Sequence, residues 1–146
     1  MILGYYSQYS QTCTNHKKAK ISTVYLSVVE VLTMHYILIE RYGGAHGLRN
    51  VGAFVAALYR PQTGCYEYVI AEAASLWESM TVNHPFIDGN KLIGFAVTDT
   101  FLRLNGYRIS APADKIWRYI DGLFSKGKFE FAELDKWLRK NTEEIS

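Results

Sequence analysis

The run His84-Pro85-Phe86-Ile87-Asp88-Gly89-Asn90-Lys91 puts a proton-transfer group, a carboxylate, a glycine, an amide and a cation within eight residues. Histidine is the side chain whose ordinary titration lies nearest neutral pH, so His84 suits the work of a general base. The residues after it suit an anion. The N–H groups that open a helix have no partners inside it, and the helix dipole adds partial positive charge at the same point. Gly89 gives the backbone freedom to turn those amides toward a ligand. Asn90 adds side-chain donors, and Lys91 adds a full charge. Phosphate is the natural guest of such a place. Asp88 has two readings on residue type alone: an N-cap for the next helix, or a carboxylate holding Mg²⁺ against phosphate oxygens. Pro85 pushes His84 out of the helical region, and Phe86 and Ile87 would anchor the loop in the core. Each of these residues also fits a plain structural turn. Their concentration is what points to chemistry.

The elements that must hold this loop are helices. Apolar residues Tyr25, Val28, Val29, Leu32, Tyr36 and Ile39 recur at helical spacing and predict a helix from Ser22 or Thr23 to about Arg41. Ser27 and Glu30 have capping-box spacing but fall inside that pattern, so the match is read as coincidental. Gly43-Gly44 stops the helix. A short helix follows over about 50–59, and Arg60-Pro61-Gln62-Thr63-Gly64 is a turn. The next helix, about 68–82, presents Ile70, Ala73, Ala74 and Trp77 on one face, with Glu67, Glu72, Ser75 and Ser79 mostly off it. A helix over about 90–105 carries no charge from Leu92 to Thr98. It reads as the central one, surrounded by the others. Further helices are predicted over about 113–125 and 131–140, with one short strand at 107–110. The fold class is all-α: about six helices around a central buried helix.

Composition narrows the function classes. The chain has 146 residues, 49% of them hydrophobic and 21% charged, which fits one folded domain. We divide it into an N-terminal extension, residues 1–20, and a helical domain, residues 21–146. The net charge of +2 is too even to predict nucleic-acid binding. No membrane segment is expected, because the most apolar stretch, 21–39, carries Glu30 and His35. Cys13 and Cys65 read as reduced thiols of a cytoplasmic protein. Neither lies at metal-site spacing from another ligand.

At the level of motif, 84–91 closely resembles the signature of the Fic/Doc family, in its death-on-curing (Doc) branch. That signature reads His-x-Phe-x-Asp/Glu-Gly-Asn-Gly-Arg, with Lys in place of the last Gly in the Doc branch, so Lys91 is the branch marker. Residues 39–44, 57–62 and 101–107 resemble further stretches of the branch in the right order, and the likeness covers roughly Ser22–Leu138. The resemblance implies an all-α fold and an ATP- and Mg²⁺-dependent transferase of a toxin–antitoxin pair. Such an enzyme moves a phosphoryl group, or AMP as Fic enzymes do, onto a protein hydroxyl. For Doc-type toxins the implied acceptor is translation elongation factor Tu, and the implied partner is a small antitoxin whose helical tail lies in the active-site groove. Carried over, His84 is the general base, and Asp88 holds Mg²⁺ or orients His84. Gly89 and Asn90 bind phosphate, Lys91 neutralises its charge, and Pro85 and Phe86 support the motif.

Leu92 departs from this pattern, since family enzymes carry Arg there. Leucine supplies no donor to charge spread over phosphate oxygens. Three explanations follow: an attenuated or inactive relative, an arginine reaching in from Arg49, Arg60 or Arg108, or an inactivating change at Leu92. The competing function class is a catalytically inactive interaction protein on the same fold. A metal-dependent hydrolase on His84 and Asp88 would need more ligands than His16, His35 and His46 supply at useful spacing. Tyr36 also departs, standing where an acidic residue commonly follows the histidine, and His35 reads as structural rather than catalytic.

Overall fold

The computed structural model describes residues 23–145. The extension at 1–20, with Cys13 and His16, and the alternative helix start at Ser22 lie outside the described residues. The first helix, α1 (Val28–Tyr42), starts later than its apolar stripe suggests. Ser27 is a true N-cap: its hydroxyl accepts from the Glu30 N–H at 3.2 Å, and Glu30 accepts from the Ser27 N–H at 2.7 Å. The capping box read as coincidental therefore sets the boundary. The residues before it run alongside Asn105, whose side-chain amide bonds both the N–H and the C=O of Val24.

Helix α2 (Val51–Tyr59) is capped by Asn50 and runs into a 3-10 turn, Arg60–Gln62. Helix α3 (Val69–Val82) and helix α4 (Asn90–Leu104) pack most extensively against each other. Strand β1 (Tyr107–Ile109) then leads to α5 (Ala113–Lys126), α6 (Phe131–Asn141) and β2 (Thr142–Glu144). β1 and β2 pair antiparallel, with Arg108 opposite Glu143. Among the described residues, six helices and one two-stranded ribbon make an all-α fold.

The central helix is α3, not α4. Ten of its fourteen residues are buried, against six of fifteen in α4. The polar residues assigned to its outer face are inside: Glu72, Ser75 and Ser79 are all buried. Polarity misled because these groups have partners. Glu72 accepts from the Tyr25 hydroxyl at 2.7 Å, Ser75 donates to the Glu72 carbonyl, and Ser79 accepts from Arg60 at 2.6 Å.

Two features fix how α4 lies on α3. Trp77 stands between Phe95, Phe129 and Trp137, each with ring centroids about 6 Å away. A Cβ on Gly94 would stand 2.0 Å from the Thr81 hydroxyl, so a glycine is required where the helices meet. Cys65 is disulfide-bonded, and no cysteine among the described residues is free. This corrects the reduced-thiol expectation for Cys65, because a count of cysteines carries no information on which approach each other. The argument for a compartment from free thiols goes with it. Among the described residues no helix is long and apolar enough to cross a membrane.

Candidate functional site

The motif loop joins the end of α3 to the start of α4. Pro85 and Phe86 turn inward and are buried, as their types require. Ile87 does not: it is 52% exposed, so Phe86 alone anchors the loop. Segment 44–50 runs beside the loop. Leu48 bridges to Phe86, and the Ile87 N–H donates to the Gly47 carbonyl at 3.0 Å.

Three side chains hold the loop by its main chain. Asn90 accepts from the Phe86 N–H and donates to the Phe86 carbonyl, both at 3.0 Å. The side-chain amide, read from the sequence as a phosphate donor, here closes the turn. His35, buried in α1, stacks on Phe86 with centroids 3.7 Å apart and planes 10° from parallel. Its Nε2 lies 2.8 Å from the Asp88 carbonyl. A carbonyl only accepts, so Nε2 carries the proton. Burial pushes the His35 pKa below its ordinary value, although the bond to the Asp88 carbonyl and the Asp88 charge oppose this and His46 adds to it. The third holder is Arg49, which donates from Nε to the His84 carbonyl at 2.6 Å and from Nη2 to the Asn83 carbonyl at 2.9 Å.

The groups suited to chemistry remain open. His84 is exposed, and its imidazole makes no hydrogen bond among the described residues. Its backbone is left-handed, with φ +48°. Gly89 is the N-cap of α4, with φ +79° and no side-chain cap. The first bond of the helix runs from the Ile93 N–H to the Gly89 carbonyl, so the N–H groups of Asn90, Lys91 and Leu92 precede it. These amides can receive an anion.

Asp88 is not the cap. Its Oδ2 accepts from the Ala45 N–H at 2.8 Å, and no hydrogen bond joins it to His84. Its carboxylate is exposed, with Oδ1 unengaged among the described residues, so it fits a Mg²⁺ ion, which typically takes one or two carboxylates plus phosphate oxygens. Among the described residues no three His, Cys, Asp or Glu side chains gather in a way that could hold a metal by themselves. Lys91 leans over the Phe124 ring, its Nζ 4.3 Å from the centroid.

Leu92 is half-buried and lies outside the core cluster. The three arginines considered in its place all have other partners. Arg60 bonds Tyr66, Glu78 and Ser79, Arg108 bonds Glu143, and Arg49 bonds the loop carbonyls. Phe95 belongs to the aromatic core between Trp77 and Trp117. Tyr36 stacks on His46, which pairs with Glu40 at 2.6 Å.

Sequence reasoning considered Arg49 only as a substitute for the missing donor and did not single out Gly94. The signal for Gly94 was present: a lone glycine inside the uncharged stretch of a helix marks a close approach.

Residues 25–102 match the family model described as the Fic/DOC family. That is a shorter stretch than the likeness drawn from the motifs. Over 97 residues the chain is 36% identical to a protein named Toxin Doc from Mycolicibacterium smegmatis, covering 63% of this chain and 72% of that one.

Proposed function

The chain belongs to the Fic/DOC family, and from that premise we propose that it is a Doc-like toxin of a toxin–antitoxin pair. Its reaction is transfer of a phosphoryl group, or of AMP, from ATP to a hydroxyl of a protein such as translation elongation factor Tu. The observation that carries this reading is one tight loop with an imidazole unpartnered among the described residues at one end and a helix start without a side-chain cap at the other. In the proposed reaction His84 takes the proton of the acceptor hydroxyl. The acceptor oxygen bonds to phosphorus as the bond to the leaving ADP, or pyrophosphate, breaks. The amides of Asn90, Lys91 and Leu92 hold phosphate oxygens, and Lys91 swings from Phe124 to add charge. Asp88 would hold Mg²⁺, which would neutralise phosphate charge. With ATP as the proposed donor, the cytoplasm is the proposed compartment. A small antitoxin is the expected partner, its helical tail lying in the groove beside the loop.

Leu92 attenuates this enzyme. One missing preorganised donor costs about 10²–10³ in rate. A second reading is favoured by the same position: with Leu92 in place and the three arginines engaged elsewhere, the fold can serve as a catalytically inactive interaction protein.

The test compares the parent with Leu92→Arg for growth arrest and for ATP-dependent labelling of the translation factor. The expected result is labelling raised about 10²–10³-fold in Leu92→Arg. If both are inert and neither binds ATP with Mg²⁺, while a small helical protein co-purifies, the interaction reading replaces the enzymatic one.

A further inference from the structure

Among the described residues His84 is the one non-glycine residue with positive φ, and it stands directly before a proline. Left-handed backbone is uncommon for a residue with a Cβ, and a following proline restricts it further. Such a conformation persists only where the surroundings over-determine it. Here the bonds nearest His84 come from one dipeptide, Arg49-Asn50. Arg49 satisfies the carbonyls of Asn83 and His84 with its side chain, and the main-chain N–H groups of Arg49 and Asn50 both donate to Pro85, at 2.7 and 3.1 Å. Three consecutive carbonyls at the exit of α3 are thus held from residues 49 and 50. All of these bonds go to main chain, so the imidazole stays free while the direction of its Cα–Cβ bond is set. The guanidinium is a rigid planar fork that spans two carbonyls at once, which a lysine ammonium does not reproduce.

We propose that Arg49 is the positioning residue that aims His84 for proton transfer, acting through the His84 backbone and touching no substrate. This rests on the function proposed above.

The experiment uses the full chain carrying Leu92→Arg, and adds either Arg49→Ala or Arg49→Lys. Expected for Arg49→Ala is a kcat lower by about 10²-fold, as for an ångström-scale misplacement, with KM for ATP unchanged because the α4 amides are untouched. Added guanidinium ion should restore part of that kcat, and Arg49→Lys should be impaired as well. A kcat unchanged in both variants, or a joint fall of kcat and rise of KM without guanidinium rescue, overturns the proposal and leaves Arg49 as a cap of α3. Backbone NMR shifts of His84 give a readout independent of activity. They should lose their left-handed signature in Arg49→Ala and regain it with guanidinium. If that signature persists in Arg49→Ala, the inference fails whatever the activity. If no version of the protein labels anything yet the signature responds as expected, the reaction is refuted and the clamp stands.

Discussion

The α3–α4 contact and the motif loop sit side by side and are held by opposite means. At the contact, side chains meet side chains. Trp77 is enclosed by aromatic rings, and Gly94 lets the backbones approach over Thr81. At the loop, side chains meet backbone: Asn90 holds Phe86, His35 holds Asp88, and Arg49 holds Asn83 and His84. The first arrangement uses up its side chains in packing. The second fixes the main chain and leaves the imidazole of His84 and the α4 amides available. Rigid support for groups that are themselves unpartnered is what a reactive site needs.

The strongest way to break this contrast is at His84. In the Leu92→Arg background, His84→Ala should lower the labelling rate by about 10²–10⁴-fold, the usual worth of a general base. Its melting temperature should stay near that of the parent, because the imidazole is exposed. A large fall in melting temperature would mean the residue is structural.

The packed region should respond in stability. Gly94→Ala should cost about 1–3 kcal/mol in urea unfolding, as overpacking does. Adding Thr81→Ala should recover part of that, since the Thr81 hydroxyl is what the new methyl meets. No recovery would place the strain elsewhere.

A smaller loss, roughly 1–2 kcal/mol, is expected for Asn90→Ala, which leaves the Phe86 N–H and carbonyl without their partner. Weaker ATP binding should accompany it, because the loop before the α4 amides loosens. Unchanged hydrogen exchange at the Phe86 amide would show that the clasp is not what holds the turn.

The subtlest effect is that of pH. The His35 pKa is lowered in the folded protein, so the unfolded chain takes up its proton first as pH falls. Stability from this residue is therefore complete above about pH 6.5, the ordinary histidine value, and declines as pH falls through the lower folded value. His35→Gln, which keeps a donor but does not titrate, should flatten the stability profile between pH 7 and pH 5. An equal slope in both proteins would assign the effect to other groups.

Much of the fold was legible because helix breaks and caps are local. Gly43-Gly44, Asn50, Pro85 and Gly127 punctuate the chain close to where the helices end or begin. Errors arose where a partner distant in sequence changed a residue's meaning. Glu72 and Ser79 read as outward-facing until Tyr25 and Arg60 are seen to bond them. β2 lacks any alternating pattern and exists because β1 is there to pair with it. In the candidate site, the motif marks one continuous loop between α3 and α4 but not the direction of each group.

By itself the sequence determined the all-α class, the helix around each apolar stripe, and a loop combining His84, Asp88 and Gly89 at a helix start, because these follow from spacing and local backbone preference. Only the tertiary structure decided that α3 is the centre, that Asn90 clasps Phe86, and that Arg49 bonds the Asn83 and His84 carbonyls. Those outcomes depend on which groups meet across long stretches of chain, where a hydrogen bond forms with whatever donor the packing brings within 3 Å or so.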